Sequence, residues 1–346
     1  MDDRKLKILA AVIDEYILTG EPVGSKTIAS LPDIKVSAAT VRNDMAVLEQ
    51  LGYLEQPHTS AGRVPTFSGY RLYIDRIMTR NELPEEEIKR LDNMLEEKGA
   101  VTEELIIESA TTALAELTQC AAVASNSAPK FSVISKVEVI PTGKRLYVIL
   151  LITSNGSIKN KACRLEFDLT NEQLDFFTNY IQENLTGISV SDISDEMVAK
   201  LVEALGTYMM TLSPLVHSIC ELSKGLKQKE LKVIGTKNLL SCKELDTMDI
   251  VKFMDHHDEL EVLMNDSFSG INVMFSEEND GFVIGNSSMI VSKYQKGDKT
   301  VGSLGVIGPM RLDYAKIIPY IEYFTQKITD LISDEAEFDG KEEDNG

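Results

Sequence analysis

Residues 37–71 constrain the fold more than any other stretch of the chain. Ser37 is a good helix N-cap, because its hydroxyl can accept a hydrogen bond from the free amides of a first helical turn. Apolar residues then repeat at helical spacing and predict one buried stripe, formed by Val41, Met45 and Leu48. Gly52 ends the helix, since glycine adopts the left-handed terminal conformation without strain. The stretch therefore begins with one amphipathic helix.

The face opposite that stripe is small and polar. It carries Ala39, Asn43, Ala46 and Gln50, with Thr40 and Arg42 at its flanks. It is not crowded with long acidic side chains, so the backbone of a nucleic acid could approach it closely. Asn suits adenine, Arg suits guanine or a phosphate, and the hydroxyls of Ser and Thr can anchor phosphate. We therefore predict a DNA-reading helix whose contact residues are Ser37, Ala39, Thr40, Arg42 and Asn43.

A predicted hairpin follows this helix. Residues 53–56 alternate like a strand before Pro57 stops the ladder. Residues 58–63 form a small polar loop, and residues 64–67 return the chain. Two predicted helices lie upstream, at residues 5–18 and 25–30. Helix, helix, turn, recognition helix and hairpin is the order of a winged helix-turn-helix domain.

The hairpin supplies a second set of candidate DNA contacts. In winged helices a basic residue at the hairpin tip reaches phosphate or the minor groove, and Arg63 occupies that position in the sequence. The predicted contacts of the wing are His58, Thr59, Ser60 and Arg63, with Tyr70 and Arg71 as secondary candidates. The alternative is a winged helix that contacts protein rather than DNA.

Two blocks of sequence resemble a known family. The first is VSAATVRNDMAVLEQLGYLEQPHTSAGRVPTFSGYRLYID, at residues 36–75, and the second is GSLGVIGPMRLDY, at residues 302–314. Both resemble HrcA, the family of heat-inducible transcription repressors of bacteria. The PHTSAGRVPT and GYRLYID runs are far more specific than a general helix-turn-helix match. The length of 346 residues also fits, so the resemblance covers essentially the whole chain.

The resemblance implies a mechanism of regulation. HrcA-like repressors bind the CIRCE inverted repeat of double-stranded DNA upstream of chaperone operons. They act as homodimers and depend on a GroEL-type chaperonin for their active form. Heat diverts the chaperonin to unfolded proteins, the repressor loses activity, and the chaperone genes are expressed.

The net charge of −20 appears to argue against DNA binding, because contacts to phosphate dominate such affinity. The charge is unevenly distributed, however. Residues 1–80 carry ten Lys and Arg and ten Asp and Glu, so the rest of the chain carries the whole excess of acid. An N-terminal module without net negative charge on an acidic body can bind DNA with one face and repel it elsewhere.

Length and composition bound the class of protein. A chain of this size needs two or three domains. No apolar run reaches the length of a membrane span, and the N-terminus lacks the apolar core of a signal peptide. The cysteines are widely spaced and form no CxxC pair, at positions 120, 163, 220 and 242. We therefore expect a bacterial cytoplasmic protein with no membrane partner.

The remaining sequence predicts an α+β multidomain protein. β-branched runs and turns indicate strands at 131–167 and again at 271–307, each followed by a helix. With the resemblance to HrcA, this pattern suggests a GAF-like domain interrupted by a small inserted dimerisation domain. The predicted boundaries are 1–82 for the winged helix, 83–187 and 263–333 for the GAF-like domain with connecting helices at 84–118, 188–262 for the insertion, and 334–346 for an acidic disordered tail.

No pattern in the sequence indicates an enzyme, a cofactor or a metal site. Nothing marks a converging nucleophile, base and orienting group. His256 and His257 are adjacent, so on a helix they would point about 100° apart. The glycines at 302, 305 and 308 have the wrong spacing for a dinucleotide loop and indicate a tight turn from strand to helix. The alternative function is a winged-helix regulator that senses a small metabolite through its GAF-like domain.

Overall fold

The first unit of the computed structural model is a small helical domain closed by a hairpin. Its elements are α1 (Asp3–Thr19), α2 (Ser25–Ala29), α3 (Ala38–Gln50), β1 (Leu54–Glu55), β2 (Val64–Pro65) and α4 (Phe67–Leu72). A π-helical turn, Tyr73–Ile77, continues α4. The structure describes residues 2–58, 61–79, 82–96, 102–126, 132–154, 156–206, 210–227, 230–255, 260, 263–264, 268, 270–278, 284–297 and 299–339.

The order of these elements agrees with the winged-helix pattern predicted from the sequence. The cap of α4 differs from the residue expected. Ser68 is the natural candidate in the sequence, but Thr66 is the N-cap, and its hydroxyl accepts a hydrogen bond from the Gly69 amide at 3.2 Å. Thr66 also donates to the Gly52 carbonyl at 2.6 Å. The start of α4 is therefore tied to the end of the preceding helix.

A five-stranded antiparallel sheet forms the body of the molecule. Its strand order is β7-β3-β10-β9-β8. These strands are β3 (Ala121–Asn126), β7 (Glu230–Ile234), β8 (Ile271–Phe275), β9 (Ser287–Lys296) and β10 (Lys299–Pro309). β3 is missing from the sequence-based prediction, because its small residues are almost all buried and show no alternation.

Helices cover both faces of this sheet. One face packs against α5 (Glu85–Glu96), α6 (Glu103–Thr118) and the last helix, α12 (Tyr314–Asp339). The opposite face is filled by apolar side chains beneath α10 (Thr236–Leu240) and α11 (Thr247–Asp255). The sequence suggests one strand over residues 231–240, but the strand β7 ends at Ile234 and residues 236–240 form α10. The helix α12 continues to Asp339, which places residues 334–339 in a helix rather than in the predicted disordered tail.

A separate unit lies between β3 and β7. It consists of a three-stranded sheet, β4 (Ile134–Gly143), β5 (Leu146–Thr153) and β6 (Ile158–Arg164), packed against α7 (Asn171–Leu185), α8 (Asp195–Ala204) and α9 (Ser213–Lys227). These elements share a hydrophobic core of their own. We call residues 132–227 the inserted unit.

These bounds differ from the insertion predicted at 188–262. The sequence-based boundaries put the three-stranded sheet in the GAF-like domain, because its β-branched runs look like those of the later strands. Among the described residues, the strands at 134–164 pair only with one another, and the bridge between Val133 and Ser189 also lies within the inserted unit. The chain leaves the large sheet at Asn126 and re-enters it at Glu230, and these two residues are register partners.

The first unit does not have a separate hydrophobic core. A single cluster of buried residues runs from α1 and α3 through α5 and α6 to the sheet and α12. No helix among the described residues is long and apolar enough to span a bilayer. Thr59, Ser60, Met209, His256, His257 and residues 340–346 lie outside the described residues.

Candidate nucleic-acid interface

The predicted recognition helix is α3, and it begins as the sequence predicts. The Ser37 hydroxyl accepts a hydrogen bond from the Thr40 amide at 3.2 Å, and the two side-chain oxygens of Ser37 and Thr40 are 3.0 Å apart. The helix ends before Gly52, whose φ of 80° is left-handed. Two hydroxyls thus lie beside free amides at the positive end of a helix dipole, where an anion is favoured.

The outward face of α3 is open. Ser37, Ala39, Arg42 and Asn43 are exposed, and Thr40 is half-buried. The exposed residues include the two that can read bases by hydrogen bonding, Arg42 and Asn43. The structure therefore places the five predicted recognition residues on the first two turns of one accessible helix.

The inward face of α3 contains an acidic residue that the sequence-based prediction did not include. The side chain of Asp44 is 6% exposed, and its carboxylate lies 2.7 Å from Arg4 Nε and 3.7 Å from Lys5 Nζ. These contacts hold α1 against α3. An Asp on the buried side of a helix is itself a signal for a basic partner, because a buried charge must be paired.

The hairpin is attached to the rest of the unit along its backbone. Val23 and Arg63 exchange two backbone hydrogen bonds, of 2.8 and 2.9 Å. A Cβ on Gly62 would lie 2.4 Å from the Val23 carbonyl oxygen, so only glycine permits this approach. His58 is exposed near the tip of the hairpin. The wing is therefore held beside the recognition helix.

Arg63 is not at the hairpin tip, which corrects the predicted position. It lies at the start of the returning strand, and its side chain is 19% exposed. Its Nη2 and Nε atoms lie 2.8 and 3.0 Å from Glu49 Oε2. Because Glu49 belongs to α3, this ion pair joins the wing to the recognition helix and neutralises an acidic side chain beside the predicted DNA surface.

The structure places the two secondary candidates elsewhere. Tyr70 is 1% exposed, and its ring lies 5.9 Å from that of Tyr314. Arg71 donates to the Val273 carbonyl at 2.8 Å and forms an ion pair with Glu278. The prediction that Tyr70 contacts DNA is wrong, because the residue is buried against the body. Arg71 is also committed to the body rather than to the predicted DNA surface.

The described residues contain no group of three or more His, Cys, Asp or Glu side chains that could hold a metal ion. The glycines at 302, 305 and 308 lie within β10 and not in a turn from strand to helix. Burial raises the pKa of the Cys120 thiol to about 12, which leaves it protonated and unreactive at neutral pH.

An exposed recognition helix beside a hairpin, joined to a larger body, defines a winged-helix transcription regulator. Comparison with known proteins narrows this class. The family model for the HrcA protein C terminal domain matches residues 104–318. The chain is 32% identical to the heat-inducible transcription repressor HrcA of Acetivibrio thermocellus, over 96% of each chain. It is 34% identical to that of Thermoanaerobacter pseudethanolicus, over 96% of this chain and 97% of the relative.

The chain belongs to the HrcA family of heat-inducible transcription repressors. It is a negative regulator of heat-shock genes and not an enzyme. Its fold resembles a crystal structure of a hypothetical protein, with a TM-score of 0.72 and 24% identity over 96% of this chain and 99% of the other. That similarity supports the fold alone.

Proposed function

We propose that the chain represses chaperone operons by binding the CIRCE inverted repeat as a homodimer. The observation that carries this proposal is the open face of α3, on which Arg42 and Asn43 are both exposed. A two-fold symmetric dimer presents two such helices, and an inverted repeat presents two matching half-sites. The action is that of a bacterial cytoplasmic repressor, since operators and chaperonins share that compartment.

Each predicted contact has a role in this proposal. Asn43 reads adenine, and Arg42 reads guanine or pairs with phosphate. Ser37 and Thr40 anchor phosphate at the start of α3, and Ala39 leaves room for the DNA backbone. His58, Thr59 and Ser60 contact DNA from the wing. Arg63 positions the wing through Glu49, which its ion pair supports.

The inserted unit provides the dimer contact in this proposal. It has its own core, so it can hold a second copy without deforming the large sheet. Phe167 and Phe176 are 40% and 49% exposed on its surface, and the Phe176 ring stacks on Tyr180 at 6.2 Å. Large exposed aromatic side chains are favoured at interfaces between protein chains.

The activity of the dimer is set by the supply of a GroEL-type chaperonin. A repressor that must be refolded to act has an active fraction that depends on the chaperonin left free. Heat lowers that free supply, and the heat-shock genes are then expressed. This step rests on membership of the HrcA family.

Binding of the purified full chain to a CIRCE duplex tests the proposal. We expect Asn43→Ala and Arg42→Ala each to weaken binding by about 1–3 kcal/mol. Lys252→Met is a control that should bind like the wild type, because Lys252 is exposed on α11, away from the predicted contacts and the inserted unit. A second assay heats the protein and restores binding with chaperonin and ATP. Equal binding of CIRCE and scrambled duplexes by the wild type would refute the proposal.

A further inference from the structure

The block at residues 302–314 has no part in the DNA contacts described above. It forms most of β10 and the turn into α12, and it supplies Arg311 and Tyr314. Both side chains contact the winged-helix unit, and both are also bonded to residues of the body. The two blocks that resemble HrcA in the sequence therefore meet in space.

Arg311 bridges the two units. Its Nη1 atom donates a hydrogen bond to the Ile17 carbonyl at 2.7 Å, at the end of α1. Its Nε and Nη2 atoms lie 3.1 and 2.7 Å from Glu244 Oε1 in the body. A cation is favoured at the carbonyl end of a helix, where the dipole is negative. Arg311 thus binds the last turn of α1 and is itself held in place by the Glu244 carboxylate.

Gly20, the residue that ends α1, lies beside the Arg311 guanidinium. Gly20 has a φ of 70°, and a Cβ there would lie 3.4 Å from Arg311 Cζ. A residue with a side chain would be strained in this conformation, although its Cβ would make an ordinary van der Waals contact with Arg311. The left-handed conformation beside Arg311 therefore favours glycine at the end of the helix.

A second contact between the two units is made by α4. The ring of Tyr70 lies 5.9 Å from that of Tyr314 and 6.5 Å from that of Phe275. The Arg71 guanidinium lies 5.0 Å above the Phe275 ring and also donates to the Val273 carbonyl. We call these two regions, with Ile17, Tyr70 and Arg71 on one side and Phe275, Arg311 and Tyr314 on the other, the docking contact.

The docking contact fixes the winged helix at two separated points while leaving the outward face of α3 exposed. Contacts at two points fix the angle between the winged-helix unit and the body, whereas a single contact would let the winged-helix unit rotate. The buried cluster that is continuous from α1 and α3 to α12 adds a third restraint. The position of the recognition helix relative to the body is therefore fixed by side chains more than 200 residues apart in the sequence.

We infer that the docking contact determines the half-site spacing that the repressor accepts, with Arg311 as a positioning residue. This inference rests on the proposed function, because it requires a dimer that reads two half-sites. If the bodies are fixed in a dimer, the angle of each winged helix sets the distance between the recognition helices. Loosening that angle broadens the range of spacings that can be bound and lowers the affinity for the best one.

The test measures the affinity of the full chain for CIRCE duplexes whose central spacer is changed by single base pairs over about one helical turn. A duplex with one half-site is measured in parallel. We expect the wild type to prefer its best spacing over its worst by at least about tenfold, and Arg311→Met to reduce this ratio to about twofold without changing half-site affinity. Arg311→Lys, which keeps the charge, should restore part of the preference.

The control is Arg90→Met, since Arg90 is 61% exposed and pairs with Glu87 on the same helix. Arg71→Met provides a second route to the same effect if Arg311→Met does not fold. Amide hydrogen exchange of residues 14–20 without DNA should be faster in Arg311→Met, which tests the docking even if CIRCE is not bound. An unchanged spacing preference in the folded variants would overturn the inference. Tighter binding at every spacing would also overturn it, because the contact would then be inhibitory.

Discussion

The guanidinium of Arg63 lies 2.8 Å from the carboxylate of Glu49, across the gap between the wing and the recognition helix. The Glu49 side chain is 34% exposed, so its charge is close to the surface proposed for DNA. Arg63 has two effects in this arrangement. It fixes the wing to α3, and it cancels a negative charge that would repel phosphate.

Arg63→Ala should therefore weaken binding to CIRCE by about tenfold, because the freed carboxylate repels the DNA backbone. Glu49→Gln alone should bind at least as tightly as the wild type, and Arg63→Ala with Glu49→Gln should recover most of the loss. Binding isotherms over a range of salt concentrations measure this cycle. If the double variant binds as weakly as Arg63→Ala, the freed carboxylate is not the cause, and the loss comes from the missing guanidinium through its hold on the wing or a contact with phosphate.

Tyr70 and Tyr314 should respond differently to loss of the hydroxyl. Tyr314 donates to the Met310 carbonyl at 2.6 Å, whereas the buried Tyr70 hydroxyl has no hydrogen-bond partner within the described part of the chain. We expect Tyr314→Phe to lower the free energy of unfolding by about 1 kcal/mol and Tyr70→Phe to leave it unchanged or to raise it. Denaturant unfolding of both variants gives the comparison. A larger loss for Tyr70→Phe would contradict the assigned environment.

Substitutions of Arg4 and of Asp44, which form an ion pair, should lower the free energy of unfolding by unequal amounts. The Arg4 side chain is 50% exposed and that of Asp44 is 6% exposed. Arg4→Met leaves the buried carboxylate beside the more distant Lys5, and should lower the free energy of unfolding more than Asp44→Asn does. Lys200→Met breaks a pair on the surface of α8 and should cost less than about 0.5 kcal/mol. Equal costs for Arg4→Met and Lys200→Met would show that the pair with Asp44 contributes no more than an exposed pair does.

Acid should loosen the docking contact. Burial works to raise the pKa of Glu244, but the hydrogen bonds from Arg311 outweigh it, so this pKa lies below its ordinary value of 4.5. A lowered pKa means that the stabilisation is complete at neutral pH and is lost as the pH falls through the folded-state pKa. Glu244→Gln should therefore show a shallower decline in unfolding free energy below about pH 5 than the wild type. Parallel curves for the two proteins would exclude this role.

A charged residue in place of Phe176 should weaken dimerisation if the inserted unit forms the dimer contact. Phe176→Glu is expected to weaken dimerisation by at least about tenfold, measured by sedimentation equilibrium. Met248→Glu, on the exposed side of α11, is the matched control, because Met248 is 64% exposed and lies outside the inserted unit. If Met248→Glu dissociates the dimer and Phe176→Glu does not, the dimer contact lies on the body and not on the inserted unit.

Local features of the site could be predicted from the sequence. The Ser37 cap, the apolar stripe of α3 and the Gly52 terminus depend on residues within one or two turns of each other, so their spacing is sufficient. The exposed face with Arg42 and Asn43 follows directly from that stripe. The HrcA resemblance rested on runs of the same kind, and the relatives confirm it.

Contacts between distant residues could not be predicted in this way. Nothing near Arg63 indicates Glu49 as its partner, and nothing near Tyr70 indicates Phe275 or Tyr314. The bounds of the inserted unit failed for the same reason, because strand pairing depends on residues far apart in the sequence. The strands of the inserted unit and those of the body are similar in composition, and only their partners distinguish them.

Asn126 and Glu230 are cross-strand partners, although about a hundred residues separate them. A turn of a few residues could join those two strands directly and leave the large sheet intact. The inserted unit therefore has the form of a cassette that an ancestral gene could have gained in a single event at a hairpin. By the same geometry, an engineer could remove it and obtain a shorter chain in which the winged helix and body remain joined.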